Sequence, residues 1–360
     1  MSDLRDEDAK RDLGDTFRRL IAATGPISLA HFMGESNQRY YADKRPIGGQ
    51  GGDFITAPEV SQMFGELIGL WLSDIWIRAG RTEPVHYVEL GPGRGTLARD
   101  ACRAMKRYNV EPRVHLVETS RRLRDAQLAA NPNAIHHHDL STVPTEGPLL
   151  IVANEFLDAL PVRQLVKTNE GWREVMVGVD ADGNFIEMPG RQPMDSAVPE
   201  ARRGDAPGTV IETSPASATI MFEVAGRLRD QDGAALFIDY GYRHGRSGST
   251  IQAVKDHRKV GIFDTPGDVD LSAHVDFAQM EQIALSRDAR VLGTVPQGEW
   301  LQALGIRERA DALAEYAPQH REALMLARDR LIEPDQMGEL FKVMGLVAPG
   351  WPDGAGFPVR

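Results

Sequence analysis

The apolar positions of this chain change their period near residue 85. Before that point they recur every three or four residues; after it, short unbroken apolar runs alternate with helical stripes. Leu13, Phe17, Leu20 and Ile21 share one helical face, which Gly25-Pro26 brings to a stop. Ser28 stands where it would cap a second, short helix through Phe32 and Met33. A third helix opens with Pro58 in its first turn and carries Val60, Met63, Phe64, Leu67, Trp71 and Ile75 to about Gly80. Between the second and third helices, residues 46–52 include Gly48, Gly49, Gly51 and Gly52, a stretch costly to order. It reads as a lid or access loop, or equally as a surface linker.

The later pattern is that of an α/β protein. Runs at 85–90, 114–118, near Ile135, at 149–153 and at 235–239 predict strands, and the first is followed by a helix bearing Leu97, Ala101, Met105 and Tyr108. Strands alternating with helices imply a Rossmann-like, doubly wound and mostly parallel sheet. Two runs at 172–179 and 184–188 flank Asp182-Gly183, a hairpin turn, and 189–208 reads as a Pro- and Gly-containing loop. Beyond it come helices at 218–228 and 277–285, a strand at 290–295, a mostly helical 300–326 and a last strand at 341–346. The expected division is a helical N-terminal extension or lid over 1–84 and a core over 85–360, with an insertion at about 165–210.

Charge and cysteine content narrow the function. Lys and Arg number 41 against 52 Asp and Glu among 360 residues, a net −11 that disfavours a nucleic-acid partner. The single cysteine, Cys102, excludes an internal disulfide and suits a reducing compartment. No apolar run approaches membrane-spanning length, so no membrane insertion is expected. The opening residues, with Asp3, Asp6, Glu7, Asp8 and Asp12, are unlike a signal or transit peptide, and the expected location is cytoplasmic. Nothing in the sequence speaks to oligomeric state.

The most informative stretch is 87–97, where an apolar strand runs into Gly91, Gly93 and Gly95 and then into a helix. Glycines allow the tight turn and the close approach of backbone to ligand, and the helix N-terminus beyond offers free N–H groups. A dinucleotide fingerprint would place its third glycine one residue later. The G-x-G-x-G form preceded by Glu89 points instead to S-adenosylmethionine, which carries no pyrophosphate.

In a doubly wound sheet, ligands lie beyond the carboxyl ends of the strands. Glu118 ends the second strand, placed to accept from both ribose hydroxyls or, alternatively, to cap the helix containing Leu123. Asp139 ends the third, where a side chain can meet the adenine amino group. The fourth ends in Asn154-Glu155-Phe156-Leu157-Asp158, facing the reactive methyl. Glu155 and Asp158 are three apart and share a side in a helical turn; carboxylates that grip a guanidinium bidentately concentrate its charge away from the attacking nitrogen. The plain alternative is a capping Asn with solvated acids. Asp239-Tyr240 ends the fifth strand, lining the pocket or packing. Asp270, His274 and Asp276 sit in a polar run that serves equally as a helix cap. His136 and His138 share one side of a strand with no third metal ligand in view, so no metal is assigned.

Several of these stretches together resemble the MidA family of class I adenosylmethionine-dependent methyltransferases. They are Gly52-Asp53-Phe54-Ile55-Thr56-Ala57-Pro58-Glu59 continuing to Glu66, the loop from Glu89 to Gly95, Asn154 to Pro161, Ile238-Asp239-Tyr240-Gly241, and 270–277. The resemblance runs from about Pro26 to the C-terminal region. It implies methylation of an arginine in a protein, a respiratory complex I subunit in the mitochondrial members. It also implies that Gly91, Gly93, Gly95, Glu118 and Asp139 hold the cofactor and that Asn154, Glu155 and Asp158 face the substrate. Asp53, Thr56 and Gln62 match the hallmark segment, expected to fold over the cofactor. The acidic N-terminus lacks a mitochondrial address, which suggests a bacterial member. The rival reading is a non-catalytic adenosylmethionine-binding assembly factor for complex I.

Overall fold

The computed structural model describes residues 12–42, 55–255 and 258–358. The 46–52 loop and Asp53 therefore lie outside the described residues. Among those described, no helix is long and apolar enough to cross a membrane. They form two compact units: one drawn from 1–43, 159–216 and 245–273, the other from 44–158, 217–244 and 274–360.

The second unit holds an eight-stranded sheet, in which the short Val275–Asp276 pairs with the end of Gly233–Tyr242 beside a path of seven strands. The seven are β1 (His86–Leu90), β2 (Arg113–Val117), β3 (Ile135–His137), β4 (Leu149–Asn154), β5 (Gly233–Tyr242), β6 (Arg290–Pro296) and β7 (Phe341–Val347). They lie in the order β6-β7-β5-β4-β1-β2-β3. Strands β1 to β5 are mutually parallel and β7 runs antiparallel between β5 and β6, so the doubly wound, mostly parallel sheet is as expected. Every residue of β1 and β4 is buried, as in a sheet covered on both faces. Strand order reverses between β1 and β4, and the crevice beyond their carboxyl ends is where such a sheet takes a ligand.

The predicted third helix is two helices, Ala57–Val60 and Gln62–Arg78. Ser61 interrupts them in an extended conformation (φ −161°) and its Oγ accepts from the Met63 amide at 3.2 Å. The longer helix packs on Thr96–Lys106 at very close range. A Cβ on Gly69 would stand 2.3 Å from the Ala101 carbonyl oxygen, and one on Gly65 2.8 Å from Asp100 Cβ. Two acids buried by this packing are paired: Asp100 with Arg99 and Arg103 (3.0 and 3.1 Å), Glu66 with Arg103 and Arg309 (3.2 and 2.7 Å). The expected boundary at 84 falls inside this unit, because the apolar surface of Gln62–Arg78 is buried against the helix that follows β1.

Three histidines cross β1, β2 and β3 as a buried ladder. His86 Nδ1 meets His115 Nε2 at 2.9 Å, His115 Nδ1 meets His137 Nε2 at 2.9 Å, and His137 Nδ1 meets the Thr142 hydroxyl at 2.8 Å. At the other end His86 Nε2 meets the Glu146 carbonyl at 2.9 Å. Burial lowers the pKa of all three, that of His115 to about 4.

The first unit is built on antiparallel strands. Gly171–Val179 pairs with Arg163–Thr168 and Ile27–Ser28 along one edge and with Phe185–Pro193 along the other, and Val210–Thr213 pairs with Arg163–Thr168. The hairpin turns through Gly183 (φ +87°), as expected from Asp182-Gly183. Part of the expected 189–208 loop is strand: Phe185–Pro193 is an edge strand, and an edge tolerates Pro189 and Pro193 because one side needs no ladder donor. The second helix is longer than expected, Leu29–Ala42. Buried Asn37 holds it, donating to the Ala159 and Leu271 carbonyls (2.9 and 2.7 Å) and accepting from the Leu271 amide (3.0 Å). Phe17, Phe32, Phe185 and Phe263 form its aromatic core.

Candidate functional site

Beyond β1 the backbone enters the left-handed region at Gly91, Gly93 and Gly95 (φ +64°, +50° and +77°). The three glycines answer to different neighbours. A Cβ on Gly91 would meet the Phe156 ring at 2.7 Å, and one on Gly95 would meet Asn131 Nδ2 at 2.7 Å. One on Gly93 would meet nothing within 4 Å among the described residues. Packing fixes the outer two, whereas the backbone at Gly93 lies open, a cradle that a Cβ would begin to fill. The loop is pinned from Arg121–Ala130 and just beyond: Gln127 Nε2 donates to the Gly93 carbonyl at 2.8 Å and Asn131 Nδ2 to that of Gly95 at 2.9 Å. Glu89 stands behind the loop, 3% exposed, with the Tyr87 hydroxyl donating to it at 2.6 Å and the Ala98 amide also bonded. Burial pushes its pKa up to about 8.

Glu118, half-buried, follows β2. Its Oε1 accepts from the Ser120 amide at 2.7 Å and its Oε2 faces Gln127 Nε2 at 3.4 Å. Burial raises its pKa against these bonds. One oxygen thus shapes the turn into the next helix and the other lies on the side of the glycine loop. Asp139, exposed, accepts from the Ser141 amide (2.9 Å) and hydroxyl, which hold its pKa low. The neighbouring histidines diverge: His136 bonds Gln127 Oε1 at 2.9 Å, His137 joins the ladder, and His138 is exposed 3.6 Å from Asp139. Gln127 was not anticipated from the sequence, although it is buried and contacts the loop, Glu118 and His136 together. Its signal was there: Leu123, Gln127 and Asn131 are spaced by four, so amides continue the helix's apolar face.

β4 ends at buried Asn154, and the next residue, Glu155, is left-handed (φ +48°). Glu155 Oε1 accepts from Asn154 Nδ2 at 3.1 Å and from the Ala57 amide at 3.0 Å. Asn154 Oδ1 is buried with no hydrogen-bond partner among the described residues. Thr56, whose carbonyl accepts the Glu59 and Val60 amides at 2.9 and 3.1 Å, adjoins Ala57, so this part of the hallmark segment reaches the end of β4. Phe156 packs under Gly91, joining the loops after β1 and β4, while Asp158 and Asp239 are buried beside them. Phe156 thus ties the glycine loop to the turn after β4, Gln127 ties the loop to Glu118, and the Ala57 amide ties Thr56 to Glu155; Glu89 is buried behind the loop and the carboxylate of Asp139 is turned to Ser141.

Residues 67–295 match the family described as "Putative S-adenosyl-L-methionine-dependent methyltransferase". The mouse protein named "Protein arginine methyltransferase NDUFAF7, mitochondrial" is 34% identical over 91% of this chain and 82% of its own length. Its human counterpart is 33% identical over 91% and 81%. A Burkholderia thailandensis protein crystallised with S-adenosyl-homocysteine superposes with a TM-score of 0.81 at 27% identity, covering 97% of this chain and 93% of that one. A second crystal structure from that organism gives 0.78 at 28% identity, covering 97% and 92%. A third of the residues shared across nine-tenths of the chain, on the same fold, settles the descent: this protein is a member of the MidA family of S-adenosylmethionine-dependent methyltransferases.

Proposed function

We propose that the methyl acceptor is an arginine guanidinium of a protein. The observation that carries this reading is Asn154 Oδ1, a buried acceptor without a partner among the described residues, one residue from the Glu155 carboxylate. A buried acceptor left unpaired costs about 1–3 kcal/mol, which a donor-rich ligand recovers. A guanidinium brings five N–H donors in a planar fork and a positive charge, matching an amide oxygen beside a carboxylate. The relatives named as protein arginine methyltransferases support the same acceptor.

On this reading Gly91, Gly93 and Gly95 cradle the cofactor, with the open face of Gly93 as the fitting surface. Glu118 takes the ribose hydroxyls, Asp139 stands on the adenine side, and Glu89 braces the loop from behind. Asp53 and Thr56 are assigned to cofactor binding. Adenosylmethionine, when bound, supplies an electrophilic methyl group on a sulfonium. Asn154 and Glu155 orient the guanidinium by accepting its N–H groups, and Asp158 adds negative charge that draws the cation to the crevice. Holding positive charge on the bonded nitrogens leaves the remaining nitrogen the better nucleophile, and alignment does much of the rest. The protein substrate proposed is a respiratory complex I subunit, met in the bacterial cytoplasm.

The test is transfer of labelled methyl from adenosylmethionine into the proteome of cells lacking this gene, read by mass spectrometry. Label is expected on arginine. Asn154→Ala and Glu155→Gln should each lower it by roughly 10²-fold, the scale of a misplaced reacting group, with adenosylhomocysteine binding unchanged. Label on lysine, on nucleic acid or on a small molecule would overturn the proposal, as would native rates in Glu155→Gln.

A further inference from the structure

Asp239 ends the buried run of β5 at 1% exposure. Its carboxylate accepts four backbone amides. Phe156, Leu157 and Asp158 all point at Oδ2, at 3.2, 2.9 and 3.2 Å, and Tyr240 donates to Oδ1 at 2.9 Å. The convergence follows from Glu155. A left-handed residue turns the chain so that successive N–H groups aim into one concavity, the arrangement that binds anions. Here the anion is the protein's own side chain.

Left-handed backbone is unfavourable for a non-glycine residue, so the conformation at Glu155 persists only if neighbours impose it. Two contacts do so: the Glu155 amide donates to the Ile238 carbonyl at 2.9 Å, and Asp239 gathers the three amides that follow. The side chains of Asn154 and Glu155 take their direction from this turn. A loop that needed only packing would not require a second acid here. Burial and the Glu155 carboxylate push the Asp239 pKa up, while the backbone amides bonded to it pull it back down.

We propose that Asp239 is a positioning residue for methyl transfer: by gathering the amides of Phe156, Leu157 and Asp158 it fixes the turn that aims Asn154 and Glu155 at the acceptor. It does so without touching the acceptor, and the inference rests on the acceptor reading given above.

Asp239→Asn keeps the size but offers one acceptor oxygen and sets an amide N–H₂ against backbone donors. With the peptide whose arginine the native protein methylates, this variant should raise the acceptor KM and lower kcat, together costing at least about tenfold in kcat/KM. Adenosylhomocysteine affinity by calorimetry should remain native. In a Glu155→Gln background the same change should add little, since both act through one turn. Native kinetics in Asp239→Asn would overturn the inference alone. A fall in kcat matched by lost cofactor binding, with KM unchanged, would also overturn it by reducing Asp239 to a folding role. Absence of arginine methylation by the native protein would overturn both this inference and the acceptor reading.

Discussion

Three glycines two residues apart look interchangeable in a motif, yet their surroundings separate them. Gly91 backs onto Phe156 and Gly95 onto Asn131, while Gly93 faces open space. Gly93→Ala should therefore cost only the left-handed penalty, about 1 kcal/mol of stability, but lose adenosylhomocysteine affinity because its Cβ enters the cradle. Gly91→Ala should cost that penalty plus about 1–3 kcal/mol for forcing Phe156 aside. Denaturant unfolding and calorimetry on the two variants check this; native affinity in Gly93→Ala would mean that the open face is not the cofactor's. These positions were legible in the sequence because a left-handed turn favours glycine. Gln127 was not legible as a site residue, and Asp239 was legible only as a strand end that either lines the pocket or packs. Their importance lies in which backbone groups the fold brings to them, and a glutamine on a helix or an acid at a strand end has many ordinary explanations.

Elements were legible where periodicity is strong. Four of the five parallel strands read directly from their apolar residues, whereas the third, Ile135–His137, is short, carries two histidines and was placed only near Ile135. The helical extension also read as helix, but not where it breaks, because Ser61 stops one helix and caps the next with a residue common in either setting. The strands Arg163–Thr168 and Val210–Thr213 were missed, being short and mixed with charged or polar side chains. Phe185–Pro193 was read as strand only to 188, because its prolines signal a loop until its edge position is known. Close helix packing was equally hidden. An exposed helical glycine gains about 1 kcal/mol on replacement by alanine, but Gly69 lies against the Ala101 carbonyl. Gly69→Ala should instead lose about 1–3 kcal/mol through forced separation of the helices. A thermal melt decides between the two directions; a stabilised Gly69→Ala would show that the helices separate freely.

At the scale of the molecule, the chain alternates between its two units, and Leu29–Ala42 and Ala57–Val60, successive helices in sequence, belong to different ones. Hydrophobic periodicity cannot show this, because it reports that a face is buried and not against what. The histidine ladder gives the second unit a pH dependence. The unfolded histidines take up protons below about pH 6.5, whereas burial keeps the folded ones neutral, His115 down to about 4. Below 6.5 the unfolded state thus binds more protons, and stability contributed by the ladder is complete above that pH and lost as pH falls toward 4. Glu89, raised to about 8, acts oppositely over part of the range, since its folded form keeps a proton the unfolded chain has released. The ladder is therefore read from a difference. Urea unfolding between pH 7 and 4 should show a shallower acid loss in His115→Asn than in the native protein, by up to about 1.4 kcal/mol per pH unit; equal slopes would mean that the histidine protonates as easily folded as unfolded. The ladder is also directional. The Glu146 carbonyl can only accept, so His86 carries its proton on Nε2, His115 and His137 must follow suit, and the Thr142 hydroxyl donates last. Three ring dipoles then add head to tail across the strands, and an incoming proton finds a seat only at the Thr142 end unless the whole row reverses.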